Sequence, residues 1–373
     1  METKKFYERC SRMLQDVKEK RTGIKTACYK TEMPTKYMAV ISSIIRKYDV
    51  LSRVVGALRF DIRNRWMAIV LCYEILYGNN REATRFNKKL ANEVKETYKS
   101  LGIVEKTKTK EDRGQAYIRL NTLKADASAI SSLSLEPTIV PDVYKVMEKV
   151  NWIKLKSYQE GYFFVQDLSS CLPAYVLNPP KNSVVLDACS APGNKTTHLA
   201  MLSPTSVIYA VEKDMERYKT LREMIEKSGA ENIVSMHCDF LGITKEVEDV
   251  FKAEYILVDP SCSGSGIHPG EEKDYARISK LSAFQVKILN KALSYPRAKK
   301  VVYSTCSIYE EENEGVVSQA LKANPGYVLE KALPAWSKRG APGYEFSEKV
   351  VRCDADMETK GFFLASFVRK DSK

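Results

Sequence analysis

Over the first hundred positions, apolar residues recur at the spacing of helical turns. Met38, Ile41, Ile44 and Ile45 share one helical face, as do Ile69, Cys72, Tyr73 and Leu76, and Pro and Gly are sparse between positions 3 and 101. This predicts an all-helical module over residues 1–110, closing in a charged linker, EKTKTKEDRG, from Glu105. The segment YIRLNTL from Tyr117 alternates as a strand does and opens a small α+β segment, 111–178, that ends near the Pro179 and Pro180 break. From 179 to 373 short apolar runs at 184–186, 207–211, 233–236, 255–258 and 300–303 are separated by stretches of helical period. Strand and helix in alternation predict an α/β fold, a mostly parallel sheet with helices on both faces.

Charge sharpens this picture. Residues 1–110 hold 25 Lys and Arg against 12 Asp and Glu, and the rest of the chain holds 34 against 35, so the net charge of +12 is wholly N-terminal in origin. Such a field attracts a polyphosphate backbone, which makes RNA the expected partner of the helical module; a solvated surface is the other account of the same surplus. The opening METKKFYERC has charge but no apolar core, and the apolar stretch at 66–77 is short and contains Glu74, so neither a secretory signal nor a membrane span is expected. Nine cysteines without a single C-x-x-C pair, and only three histidines, argue against a metal site and for reduced, mostly packing thiols. The expected working unit is a monomer.

Open parallel sheets bind ligands beyond the carboxyl ends of their strands, near the point where strand order reverses. Four successive predicted strands end on an acid, Asp187, Glu212, Asp239 and Asp259, which points to one ligand read along that edge. The first strand continues as VVLDACSAPGNKTTHLA, a tight turn through Pro192 and Gly193 followed by a helix opening with Thr196 and Thr197. One glycine is too few for a dinucleotide fingerprint or a P-loop. The turn suits the zwitterionic tail of S-adenosylmethionine, with Glu212 placed to accept from both ribose hydroxyls and Asp239 beside the adenine.

Two further strand ends, YILVDPSCSGSG from Tyr255 and VVYSTCS from Val301, each carry a cysteine: Cys262 three residues after Asp259, and Cys306 three residues after Tyr303. If the two strands are neighbours, both sulfurs face one pocket. Cys28 and Cys72 lie on apolar helical faces and read as packing residues; this pair is flanked by Asp, Ser and Gly instead. A paired thiol site suits cytosine. Carbon 5 is too weak a nucleophile to take a methyl group until a thiolate adds at carbon 6 and turns the ring into an enamine. Asp259 is placed to hydrogen-bond the ring nitrogen and exocyclic amine, in a loop stiffened by Pro260. A second thiol then assists release or takes the carbon 5 proton. Spacing alone leaves both cysteines as candidates for the nucleophile.

LDACSAPGNKT, DPSCSGSG, YSTCS followed by EEENE from Glu310, GFF from Gly361, YIRLNTLK and FVQDLSSCLPA from Phe164 together resemble the Nol/Nop/Sun (NSUN) family of RNA 5-methylcytosine methyltransferases, in the family's order and over roughly two-thirds of the chain. The resemblance implies that the α/β domain is a class I methyltransferase (Rossmann-like) fold, that Cys306 is the nucleophile, that Cys262 aids product release, and that the cofactor site is made by Asp187, Cys189, Ser190, Ala191, Pro192, Gly193, Asn194, Lys195, Glu212, Arg217, Asp239 and Asp259. Most members read APGGKT and DxPCSGxG, whereas here Asn194 replaces a glycine and Pro260 directly follows Asp259. Both departures resemble the fifth, Rcm-type subgroup, as do KTACYKT from Lys25 and ALPAWSKRG from Ala332. That subgroup implies large-subunit ribosomal RNA as substrate and a nuclear, nucleolar site. The same chemistry on tRNA or another RNA, and a ribosome-assembly factor that binds RNA without catalysis, are the alternatives; a pure binder would need neither thiol nor a complete cofactor turn.

Overall fold

The fold, obtained as a computed structural model, is described over residues 2–19, 21–29, 31–59, 64–78, 88–103, 115–267 and 273–370; the charged linker expected at 105–114 lies outside them. The chain divides into two units, one built within Met1–Lys110 and one from Glu111–Ile267 with Lys273–Lys373.

The first unit is helical: α1 (Glu2–Lys18), α2 (Ile24–Tyr29), α3 (Pro34–Arg46), α4 (Tyr48–Ala57), α5 (Arg65–Tyr77) and α6 (Lys88–Ser100). Pro34 opens α3, where a missing N–H costs nothing, and the Asn64 side chain caps α5 by accepting from Met67 N at 3.1 Å. Ile41, Ile44, Ile69 and Cys72 from the predicted faces are fully buried beside Cys10, Leu14 and Leu51. Burial pushes the thiols of Cys10 and Cys72 up to about 12 and that of Cys28 up to about 11, so these are inert packing groups.

The second unit holds two sheets. The smaller, with order β2-β3-β1-β4, is antiparallel and formed by β1 (Tyr117–Leu120), β2 (Leu135–Pro137), β3 (Val143–Val146) and β4 (Phe163–Val165). The larger runs β10-β12-β9-β8-β5-β6-β7 with β11 paired to β12. Its parallel part is the expected one: β5 (Val184–Asp187), β6 (Val207–Glu212), β7 (Ile233–His237), β8 (Tyr255–Val258) and β9 (Lys300–Thr305). The antiparallel edge of β10 (Tyr327–Leu329), β11 (Val351–Cys353) and β12 (Phe362–Arg369) goes beyond the five predicted strands.

Alternation along the strands feeds two cores. Leu186, Ile256, Val258, Val301 and Tyr303 face α9 (Tyr275–Leu293) and α10 (Glu314–Ala323). Val185, Ile208, Leu257 and Val302 face α7 (Leu168–Leu177) and α8 (Asn194–Leu202). The chain steps outward from β5 to β6 and β7, then returns to lay β8 on the other side of β5. Strand order therefore reverses between β5 and β8, which is where a ligand crevice opens in such sheets. No helix among the described residues is long and apolar enough to cross a membrane.

Candidate active site

Sheet order places the four strand-end acids side by side as Asp259, Asp187, Glu212 and Asp239. Their surroundings differ. Asp187 is 1% exposed, accepts from Thr196 Oγ1 at 2.7 Å, and burial raises its carboxyl to about 7. It braces the turn from within rather than lining an open crevice, and its Oδ1 finds no partner among the described residues. Glu212, also nearly buried, accepts Asp214 N on Oε1 at 2.9 Å; among the described residues its Oε2 has only the longer 3.5 Å pair with Arg217 and so keeps acceptor capacity. At the far end Asp239 accepts from Lys213 at 2.6 Å and caps its own short turn through Leu241 N, bonds that hold its carboxyl below the usual range.

The turn after β5 is internally tied. Ser190 Oγ donates to Asp187 O at 2.8 Å, and Arg217 donates to Ala191 O at 2.6 Å. The helix that follows starts at Asn194, earlier than the predicted Thr196, and both threonines turn inward: Thr196 to Asp187, Thr197 to Gly193 O at 2.9 Å. Gly193 has φ 109°, and a Cβ there would lie 2.9 Å from Met224, so only glycine lets the backbone make this bend. Burial, reinforced by Asp187 and Glu212, drives the Cys189 thiol far up, which removes it as a nucleophile.

Lys195 leaves the turn and crosses to β8. Its Nζ lies 2.8 Å from Asp259 Oδ2 and 3.2 Å from Ser170 Oγ, while Ser304 Oγ donates to Asp259 Oδ1 at 2.9 Å. Both Asp259 oxygens are thus aimed, in a pair whose side chains are 14% and 25% exposed. Beside them the two expected thiols meet: Cys262 Sγ and Cys306 Sγ are 3.1 Å apart, both half-buried and not joined in a disulfide. β8 and β9 are parallel neighbours, so each chain exit delivers its cysteine to the same place. Gly266 and Gly361 press backbone to backbone, with Gly361 N donating to Gly266 O at 3.1 Å; a Cβ on Gly266 would run into the Gly361 carbonyl. This closes the Cys262 loop onto β12.

Arg119 carries a role that the sequence pattern does not announce. It is fully buried on β1, donating to Gln166 Oε1 at 2.9 Å, Thr197 Oγ1 at 2.9 Å and Asn194 O at 3.4 Å, and burial lowers its guanidinium to about 10. It joins the small sheet to the first turn of the helix that carries Lys195. Only its place in YIRLNTLK marked it.

Residues 174–368 match the family described as 16S rRNA methyltransferase RsmB/F. The 25S rRNA (cytosine-C(5))-methyltransferase rcm1 of Schizosaccharomyces pombe is 31% identical, the alignment covering 97% of this chain and 90% of that one. The chain belongs to this methyltransferase family. This RsmB/F-family chain is also 35% identical to the 25S rRNA (cytosine-C(5))-methyltransferase NSUN5 of Arabidopsis thaliana over 90% of its length, and spans 64% of that longer relative. The solved structure of PH0851 shares the fold at a TM-score of 0.70, with 20% identity and 91% of each chain covered.

Proposed function

We propose that this enzyme transfers a methyl group from S-adenosylmethionine to carbon 5 of a cytosine in large-subunit ribosomal RNA, with Cys306 as the attacking thiol. The observation that carries this reading is the meeting of Cys306 and Cys262 at 3.1 Å beside the braced carboxylate of Asp259. The names of the fission-yeast and plant relatives support the ribosomal substrate. A nuclear, nucleolar site and action as a monomer go with it.

The cofactor fits the residues present. Glu212 retains an acceptor for a vicinal diol, Asp239 stands one strand further out, and the Ala191 to Gly193 backbone is freed of side-chain bulk by Gly193. When bound, S-adenosylmethionine supplies an electrophilic methyl group. The chain's own work is on the base. The Cys306 sulfur forms a bond to carbon 6, and the carbon 5–carbon 6 pair of electrons moves to carbon 5. The ring nitrogen takes up the proton that the Cys306 thiol gives up, and Asp259, held by Lys195 and Ser304, accepts from that N–H and from the exocyclic amine; the nitrogen releases the proton again once the carbon 5 pair has bonded the methyl group. After methylation the carbon 5 proton leaves to a base, the bond from sulfur to carbon 6 breaks, and the double bond returns. Cys262 is the group nearest to that event, whether by taking the proton or by protonating the departing thiolate.

The test is bisulfite sequencing of cellular ribosomal RNA with and without the gene, with Cys306→Ala re-expressed in the second case. One large-subunit cytosine should lose its mark and fail to regain it with the variant. An unchanged large-subunit pattern with a lost mark in tRNA would move the substrate, and no lost mark anywhere would favour an assembly factor.

A further inference from the structure

Directly after the Cys306 loop, in the EEENE stretch, Glu312, Asn313 and Glu314 are each 0% exposed. Three adjacent polar side chains do not enter a core without partners, because each lost hydration shell must be replaced. Glu314 is satisfied by Arg352 of β11 and by Ala341 N. The other two reach the thiol loops.

Asn313 brackets Cys306. Its Oδ1 accepts from Thr305 Oγ1 at 2.5 Å, and its Nδ2 donates to Ser307 O at 2.9 Å, so the residues on both sides of the cysteine hang from one amide. Glu312 brackets Cys262. Its Oε1 accepts from Ser263 N at 2.9 Å and from Gln285 Nε2 at 2.9 Å, and the same Gln285 nitrogen donates to Ser261 O at 3.0 Å. Tyr303 OH donates to the Glu312 carbonyl at 2.6 Å and so anchors the pair to β9. One dipeptide therefore holds both loops, each residue serving a different sulfur. A carboxylate oxygen shared by a backbone N–H and a glutamine is a stiff fixture.

We propose that Asn313 and Glu312 are positioning residues for successive steps: Asn313 aims Cys306 for addition to carbon 6, and Glu312 aims Cys262 for release. The inference rests on the proposed cytosine chemistry, and its mark is a crossover. RNA carrying 5-fluorocytidine at the target reports addition, because fluorine cannot leave carbon 5 and the adduct persists regardless of Cys262. Unmodified RNA reports release, because adduct survives denaturing electrophoresis only when elimination is slow.

With full-length protein and S-adenosylmethionine, Asn313→Ala should slow adduct formation on the fluorinated RNA by roughly 10- to 100-fold, the cost of a reacting group displaced by an ångström or less. Glu312→Ala should form that adduct within about threefold of the wild-type rate yet accumulate adduct on unmodified RNA, a loss confined to the later step. Should Glu312→Ala fail to bind the cofactor, two gentler changes decide. Glu312→Gln keeps an oxygen at the Ser263 amide and should clear adduct normally, whereas Glu312→Asp keeps the charge, withdraws the oxygen, and should accumulate it. The reverse order, or equal loss of both signals in the Asn313 and Glu312 variants with cofactor affinity intact, overturns the positioning roles. The control is Cys306→Ala: adduct in that variant overturns the nucleophile assignment itself, while a clean control without the crossover overturns only this inference.

Discussion

Replacing Lys195 with methionine keeps the stem of the side chain and removes the cation that faces Asp259. At 2.8 Å and an effective dielectric constant of about 20, the bare attraction is about 6 kcal/mol. Water still reaches these side chains, at 14% and 25% exposure, which places the pair between an exposed ion pair and a buried one. Breaking it should cost roughly 2–3 kcal/mol, between the roughly 0–1 of surface pairs and the 3–5 of buried ones. In the proposed reaction Asp259 acts on the base as it gains charge, so the loss should appear in the transition state as a fall in kcat/KM of about 30- to 160-fold. The assay is transfer of labelled methyl to a ribosomal RNA fragment, paired with calorimetry of S-adenosylmethionine binding. Cofactor affinity should stay within about threefold, because the Lys195 ammonium contacts Asp259 and Ser170 rather than the Glu212 end of the crevice. If affinity collapses while turnover of the bound enzyme stays intact, Lys195 serves the cofactor and its pairing with Asp259 is incidental.

Glu212→Ala should weaken S-adenosylmethionine by roughly 1.5–3 kcal/mol, as for a charged hydrogen-bond partner, and unchanged affinity by calorimetry removes Glu212 from the site. Burial raises the folded-state carboxyl of Asp187 to about 7, above its unfolded value, so the folded state holds the proton more tightly and stability falls as pH rises through that window. Asp187→Asn does not titrate; its melting temperature should gain on the wild type from about pH 5 to pH 8, by an amount equivalent to as much as about 3 kcal/mol, and parallel curves would refute the shift. Changing the exposed Lys88, Lys89, Lys95 and Lys99 of α6 to glutamine should flatten the salt dependence of RNA binding by roughly 0.7–0.9 in log–log slope for each phosphate left without its cation. An unchanged slope would make the basic surplus a solvated surface.

What could be read from the chain was whatever repeats locally. The five parallel strands stood out because each is a short apolar run closed by an acid or a cysteine, and β8 and β9 were each followed within a few residues by a cysteine. The eight-residue β12 did not: six of its residues are buried in succession, so FFLASFVR has no alternation to mark it as a strand, and its antiparallel pairing with β9 depends on residues sixty positions earlier. Asp187, Glu212 and Asp259 look alike in sequence, yet one is sealed against Thr196, one is nearly buried with a free acceptor, and one is paired with Lys195. Burial separates them, and burial is decided by what the helices cover. The same holds for Arg119, Glu312 and Asn313, whose letters suggest surface. Their partners Thr197, Ser263 and Thr305 come from other elements, and nothing in a local window announces that a charged side chain has found one.

The two thiols also differ in how they are held, and this bears on their proposed order of action. Cys306 directly follows Thr305, the last residue of β9, and its neighbours on both sides hang from Asn313. Cys262 lies four residues past the end of β8, in an irregular stretch opened by Pro260, and the ties on its neighbours run through Glu312 and Gln285. Addition to carbon 6 needs a sulfur fixed in line with a ring atom, since a near-attack geometry tolerates little error. Release needs only a proton acceptor or donor within reach of a group that is already covalently attached, and a loop can supply that. The rigid strand end thus suits the nucleophile and the loop suits its assistant, an asymmetry that spacing alone could not reveal.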